Sequence, residues 1–171
     1  GCDIGARPIN LHLLAFEKMG ICVDVESEYI KCKADEINGT EILLDFPSVG
    51  ATENIILASV LAKGETFIKN AAMEPEIVDL QRFLNRMGAK ISGAGTNLIK
   101  IEGVKSLKNT SYNIMPDRIE ASTLMCGVAI TGGSLILNNV EAEHITPAIF
   151  KLEEMGCKIN KKNNQIILKA P

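Results

Sequence analysis

The sequence has no long apolar run. The stretch at residues 55–58 is stopped by Ser59, whereas a membrane-spanning helix needs about 20 apolar residues. No signal-peptide pattern is visible at the start. Positive charge is not in excess either. Lys and Arg number 18 against 21 Asp and Glu, for a net charge of −3. They are scattered, which excludes the basic footprint of a nucleic-acid or anionic-membrane binder. Cysteines are few and odd in number: Cys2, Cys22, Cys32, Cys126 and Cys157. Without paired spacing they exclude a disulfide framework. Four of them sit in periodic apolar segments, which suits mostly buried thiols, a reducing compartment and a cytoplasmic location. The two histidines, His12 and His144, lie far apart without ligand spacing, so no metal site is expected. Gly93-Ala94-Gly95 joins two expected strands rather than a strand and a helix, so it is no dinucleotide loop and no cofactor is implied. Low-complexity tracts are absent, and 46% hydrophobic with 23% charged residues is a globular composition.

What the sequence does contain is a repeat. The pairs Met19-Gly20, Met87-Gly88 and Met155-Gly156 are 68 residues apart each time. A second register has the same period, Leu61-Ala62-Lys63-Gly64 matching Ala129-Ile130-Thr131-Gly132 and Asn70 matching Asn138. Each Met-Gly copy reads as a helix stopped by a glycine in positive φ, followed by a short strand. The chain starts at Gly1 and its first repeat has no front half. About two and a half units are present, so the sequence reads as an internal segment of a longer protein.

Periodicity predicts a loop over residues 1–11, a helix over 11–19 capped by Asn10, and a hairpin of strands 21–26 and 29–33. The next unit is read as strand 41–45, helix 52–62, strand 65–69, helix 75–87 with Pro75 at its first position, and hairpin 89–92 with 98–102. The last unit repeats it: strand 112–115, helix 117–130, strand 134–138, helix 147–155, and a hairpin ending at Lys169. Each full unit is β-α-β-α-β-β. Helix 75–87 is amphipathic and belongs outside. Segments 55–62 and 121–130 carry no charge and are expected to be buried on every side. Residues 103–110 are polar and mark the boundary between units.

Several residues could carry chemistry. Cys2 lies in a glycine-flanked loop five residues before Arg7. A guanidinium favours the thiolate and the adjacent Asp3 opposes it; a loop cysteine of no consequence is the plainer reading. Arg7-Pro8-Ile9-Asn10 and Ser48-Val49-Gly50-Ala51-Thr52 each lead into a helix. Both suit an anion at a helix N-terminus, and ordinary capping explains both equally well. Asp117-Arg118-Ile119-Glu120 opens the third unit's apolar helix, where carboxylates normally answer the helix dipole.

Taken together, these segments resemble one family. Gly1-Cys2-Asp3-Ile4-Gly5-Ala6-Arg7-Pro8-Ile9-Asn10-Leu11-His12 resembles the cysteine loop of the enolpyruvyl transferases that act on UDP-N-acetylglucosamine. Phe46-Pro47-Ser48-Val49-Gly50-Ala51-Thr52-Glu53-Asn54, Asn70-Ala71-Ala72 with Glu74-Pro75-Glu76-Ile77-Val78-Asp79, and Pro116-Asp117-Arg118-Ile119-Glu120 are similar to further signatures of that family. The resemblance covers essentially the whole chain. It implies an inside-out α/β barrel of β-α-β-α-β-β units, with apolar helices inside and sheets outside. On that scheme residues 1–103 are the last one and a half units of a first domain, 104–115 a connection, and 116–171 one unit of a second.

The implied reaction moves the enolpyruvyl group of phosphoenolpyruvate to the 3′-hydroxyl of UDP-N-acetylglucosamine and releases phosphate, the first committed step of peptidoglycan synthesis. Phosphoenolpyruvate and the sugar nucleotide would be its partners, with no cofactor, metal, nucleic acid or membrane. Cys2 matches the family's general acid, which is also the thiol alkylated by fosfomycin. Arg7 would face the anionic substrates, and Arg7, Pro8, Ile9, Asn10 and Leu11 would line the nucleotide sugar. Phe46, Pro47, Ser48 and Val49 would contact its uridine and diphosphate end. Asp117 and Glu120 would lie at a domain interface. Two positions depart from the family: Asn10 stands where aspartate is usual, keeping an acceptor oxygen without the charge, and Asp3 replaces a small apolar residue. Other functional residues of the family fall outside these 171 residues, so the expectation is an active parent and an inactive fragment. Two alternatives stand beside this: an enolpyruvyl transferase acting on shikimate 3-phosphate, which lacks the Gly-Cys loop, and a non-catalytic repeat scaffold or nucleotide-sugar binding module.

Overall fold

The computed structural model describes residues 8–26 and 29–171. The chain divides into two units, Gly1–Asn113 and Ile114–Pro171.

In the first unit, helix α1 (Asn10–Lys18) leads into an antiparallel hairpin of β1 (Cys22–Val25) and β2 (Ile30–Lys33). A complete β-α-β-α-β-β set follows: β3 (Glu41–Leu43), α2 (Val49–Ser59), β4 (Glu65–Lys69), α3 (Pro75–Arg86), β5 (Lys90–Ser92) and β6 (Leu98–Glu102). Their sheet runs in the order β3-β4-β6-β5. The β3–β4 pair is parallel because α2 crosses between its strands, and the other pairs are antiparallel. Alternation divides this sheet into two faces. Ile42, Thr66, Ile68, Ile91, Ile99 and Ile101 point inward and are buried with Ile55 and Ile56 of α2 and Ile77 and Leu84 of α3. The outer face carries the ion pairs Lys69–Glu41, Lys100–Glu65 and Lys90–Glu102. Strand side chains alternate with period two, so one face is mostly isoleucine and the other carries the charges.

The second unit is built from α4 (Arg118–Thr131), β7 (Ser134–Asn138), a 3₁₀ turn (Ala142–Ile145), α5 (Thr146–Glu154), β8 (Lys158–Lys162) and β9 (Gln165–Lys169). Its sheet is β7-β9-β8, all antiparallel. The β8–β9 turn is the two-residue loop Asn163-Asn164, both at positive φ, as a twisted hairpin requires. Ala121, Met125, Ile145, Ile149, Leu152, Ile166 and Leu168 form its core.

The Met-Gly repeat is a helix-ending motif in all three copies. Gly20, Gly88 and Gly156 have φ of 85°, 101° and 96°. In each copy the glycine N–H donates to the carbonyl three residues back: Glu17, Asn85 and Glu153. The following N–H of Ile21, Ala89 or Cys157 donates to Phe16, Leu84 or Leu152. This is the Schellman closure, and the residue after the glycine packs back on the helix. It explains why Cys157 is buried.

Some expectations need correction. Asn10 is the first helical residue rather than the cap; Ile9 occupies the cap position and no side chain caps α1. α2 starts at Val49, three residues earlier than expected, because Ser48 Oγ accepts from Ala51 N–H and fixes the start there. Residues 112–115 form no strand. The Tyr112 hydroxyl instead donates to Asp79 Oδ1 at 2.7 Å, with its ring 5.5 Å from that of Phe83. The polar boundary segment is tied to the first unit: Val104 N–H donates to Val60 O and Lys108 N–H to Met87 O.

The second repeat register also shifts. The capping residues Ser48 and Asp117, the strands β4 and β7, and the positive-φ residues Asn70 and Asn139 are 69 apart, because the chain has one more residue between Met87 and the cap Asp117 than between Met19 and the cap Ser48. The apolar helices are not buried all round. α2 exposes Leu57, the turn after it exposes Leu61, and α4 exposes Ile119, Leu124 and Ile130. Within its own unit α2 packs against α1, α3 and the sheet, and α4 against α5 and its sheet, which among the described residues leaves part of each helix uncovered. Likewise Cys22, Cys32 and Cys126 are exposed, and only Cys157 of the described cysteines is buried. No described helix is long and apolar enough to cross a membrane.

Candidate functional site

Four of the sequence signatures meet at the start of α2. Ser48 is in extended conformation and its hydroxyl closes the first turn. Before it, Phe46 is exposed and Pro47 holds the approach on the surface. Four residues into α2, Thr52 is fully buried, and its Oγ1 accepts from Ala72 N–H at 3.1 Å. Asn70, in positive φ, donates its amide to Leu44 O at 2.9 Å. So the Asn70-Ala71-Ala72 turn is bonded both to the strand before the motif and to the helix after it. The motif at residues 74–79 then opens α3 with Pro75 in its first turn.

The carboxyl of Glu53 is drawn into this group. Partial burial raises its pKa above the ordinary value, and the neighbouring Glu76 carboxylate raises it further.

The start of α1 lies at the same place. Asn54 Nδ2–H donates to His12 Nδ1 at 2.7 Å, across 42 residues of sequence. A side chain at Gly50 would meet the His12 ring, its Cβ only 3.3 Å from Cε1. The segments holding Pro8, Ile9, Asn10 and Leu11 and holding Phe46, Pro47, Ser48 and Val49 are therefore joined through the first turns of α1 and α2. Leu11 is buried in the core, so it anchors the segment, while Pro8, Ile9 and Asn10 are exposed. Cys2, Arg7 and Asp3 lie outside the described residues.

Asp117 and Glu120 belong to the second unit. Asp117 Oδ1 accepts from Ile119 N–H at 2.8 Å and Glu120 N–H at 3.1 Å, which makes it the cap of α4. Both residues line a cavity of about 290 Å³, shared with Leu124, Leu137, Asn139 and Val140. Among the described residues no cluster of three His, Cys, Asp or Glu could hold a metal ion.

Sequence reasoning missed the His12–Asn54 and Thr52–Ala72 contacts. Both join residues remote in sequence, and periodicity reports only neighbours along one element. A signal was available for the first: His12 sits where the repeat has Leu80 and Ala148.

The sequence profile of the family described as EPSP synthase (3-phosphoshikimate 1-carboxyvinyltransferase) matches residues 1–171. Among curated relatives, UDP-N-acetylglucosamine 1-carboxyvinyltransferase 2 of Caldanaerobacter subterraneus subsp. tengcongensis is 55% identical over 97% of this chain and 40% of its own length. UDP-N-acetylglucosamine 1-carboxyvinyltransferase of Geobacter metallireducens is 48% identical over 100% of this chain and 41% of its own. Among solved structures, the enolpyruvyl transferase NikO from Streptomyces tendae superposes with a TM-score of 0.81 at 21% identity, over 98% of this chain and 43% of that one. An EPSP synthase from Acinetobacter baumannii gives 0.67 at 23% identity, over 96% and 40%. The chain thus has the enolpyruvyl transferase fold, and it spans about 40% of the length of the curated relatives it matches.

Proposed function

The chain belongs to the EPSP synthase (3-phosphoshikimate 1-carboxyvinyltransferase) family, and from that premise we propose that the protein containing it transfers the enolpyruvyl group of phosphoenolpyruvate to the 3′-hydroxyl of UDP-N-acetylglucosamine. The observation that carries this reading is the 48–55% identity, over nearly the whole chain, to relatives that bear the name of that activity. Residues 1–103 would then belong to one domain, 116–171 to a second, and 104–115 to the connection. The remaining segments of the parent chain complete the site, and the reaction serves peptidoglycan synthesis in the cytoplasm.

The chemistry assigns roles. The acceptor hydroxyl gives up its proton to a base as its oxygen adds to C2 of the enol phosphate, and a proton is delivered to the methylene carbon, C3. Loss of phosphate from C2 with a proton from C3 then restores the double bond. Cys2 supplies the proton at C3 as general acid. Arg7 holds negative charge on the substrates, as a guanidinium facing phosphate or carboxylate does. Pro8, Ile9 and Asn10 line the sugar nucleotide, and Leu11 anchors their segment in the core. Phe46 offers an exposed ring to its base, and Ser48 and Val49 present N–H groups at the start of α2 to its diphosphate, with Pro47 fixing the approach. Asp117 and Glu120 act at the domain interface.

The test is phosphate release from phosphoenolpyruvate by the full-length protein. Release with UDP-N-acetylglucosamine and none with shikimate 3-phosphate is expected. Cys2→Ala should abolish it and remove alkylation by fosfomycin, while Cys126→Ala leaves turnover within about twofold, since Cys126 is an exposed thiol on α4 with no role in the proposed chemistry. Release with shikimate 3-phosphate instead would reassign the acceptor. Sugar-nucleotide binding with no turnover would favour a binding module.

A further inference from the structure

His12 is out of keeping with its repeat. Its counterparts, 68 and 136 residues on, are Leu80 and Ala148, and Leu80 packs against the core. The two residues that receive it are out of keeping as well. Where α4 has Ile119 and Thr123, α2 has Gly50 and Asn54, counting 69 from the shared cap position. The glycine leaves room for an imidazole, and the amide supplies a hydrogen bond to it. One seam of the protein thus replaces an apolar contact by a directional one. Apolar contacts tolerate sliding, whereas a hydrogen bond between two planar groups fixes both distance and angle.

We propose that His12 is a positioning residue, which holds the first turn of α1 against the first turn of α2 and so sets the spacing between the two segments that grip the sugar nucleotide. This rests on the function proposed above. The amide of Asn54 faces Nδ1 at 2.7 Å, and as a donor it selects the tautomer that leaves Nδ1 free to accept. His12 acts through the segments it joins, Pro8 to Leu11 leading into α1 and Phe46 to Val49 leading into α2. Phosphoenolpyruvate binding and the chemical step depend on other residues.

The size of the effect follows from the bond. Asn54 is exposed and His12 half-buried, so the bond contributes about 1 kcal/mol, enough to change an equilibrium about fivefold. In the full-length protein, His12→Leu is expected to raise the KM for UDP-N-acetylglucosamine about fivefold. The KM for phosphoenolpyruvate and kcat should stay within about twofold. His12→Gln, whose amide oxygen can accept from Asn54, should restore most of the loss. Asn54→Thr should match His12→Leu, and combining the two should add nothing. A folded His12→Leu protein with an unchanged KM for the sugar nucleotide would overturn the proposal. So would a parallel fall in kcat and rise in both KM values, which is the mark of a general structural role. Should His12→Leu not fold, Asn54→Thr decides by the same criteria. Absence of sugar-nucleotide-dependent phosphate release in the unmodified protein would remove the function itself, and this proposal with it.

Discussion

Glu53 stands one residue before Asn54 in the first half of α2, with its carboxyl partly buried and Glu76 close by. Its folded pKa is raised above the ordinary 4.5, so folding favours the protonated form. The sign follows: this support for the fold is complete below about pH 4.5 and is lost as pH rises through the raised folded value. Glu53→Gln should therefore raise the melting temperature at pH 7 and make no difference at pH 3.5, in thermal melts at the two pH values. An equal gain at both would assign the effect to helix propensity instead. At this scale the sequence was legible where a residue acts on its near neighbours. The Ser48 segment reads as a capping sequence although the helix expected from it starts three residues late, and Asp117 reads as a first-turn dipole partner where it is the cap itself. Thr52 gave no such signal. Its partner, Ala72 N–H, is 20 residues away, and only the packed turn brings it near.

Among the elements, the helix ends read most clearly, because each is set by one glycine and a few local hydrogen bonds. A Cβ at Gly88 would meet nothing within 4 Å, but φ is 101°. Gly88→Ala should then cost only the backbone strain, about 1 kcal/mol. Gly103 is the opposite case. A Cβ there would lie 1.7 Å from Ala62 O, which is backbone and cannot yield without moving the end of the α2 segment. Gly103→Ala should cost more than Gly88→Ala, about 3 kcal/mol or above, and chemical denaturation of the two variants orders them. A reversed order would mean that the 103–104 segment is free to lift. The strand expected over residues 112–115 failed for a reason that sequence patterns do not contain. A strand needs a neighbour's free edge, and Tyr112 found Asp79 and Phe83 on α3 first.

For the molecule as a whole, the uncharged segments 55–62 and 121–130 fall in helices that bury one side and expose the other, and the charges on the sheet's outer face agree with helices inside. What composition could not show is how much cover one chain provides. Leu57 on α2, Leu61 just beyond it, and Ile119, Leu124 and Ile130 on α4 remain exposed, each forgoing about 1.5–3 kcal/mol of burial. The outer edge of β2 has no ladder partner among the described residues, although its counterparts β6 and β9 pair with β4 and β7. The 171-residue chain by itself should therefore bind a hydrophobic dye strongly and self-associate with rising concentration. The full-length protein should do neither, as dye fluorescence and sedimentation would show. Monodisperse behaviour of the short chain without dye binding would mean that its apolar faces close on one another. Sheet topology has one more consequence, for the order of events during synthesis. Every ladder closes within its own unit, and the whole β7-β9-β8 sheet lies between residues 134 and 169. Among the described residues no strand waits for a partner from the other unit, so the ladders of the first can close on the ribosome while the second is still being translated.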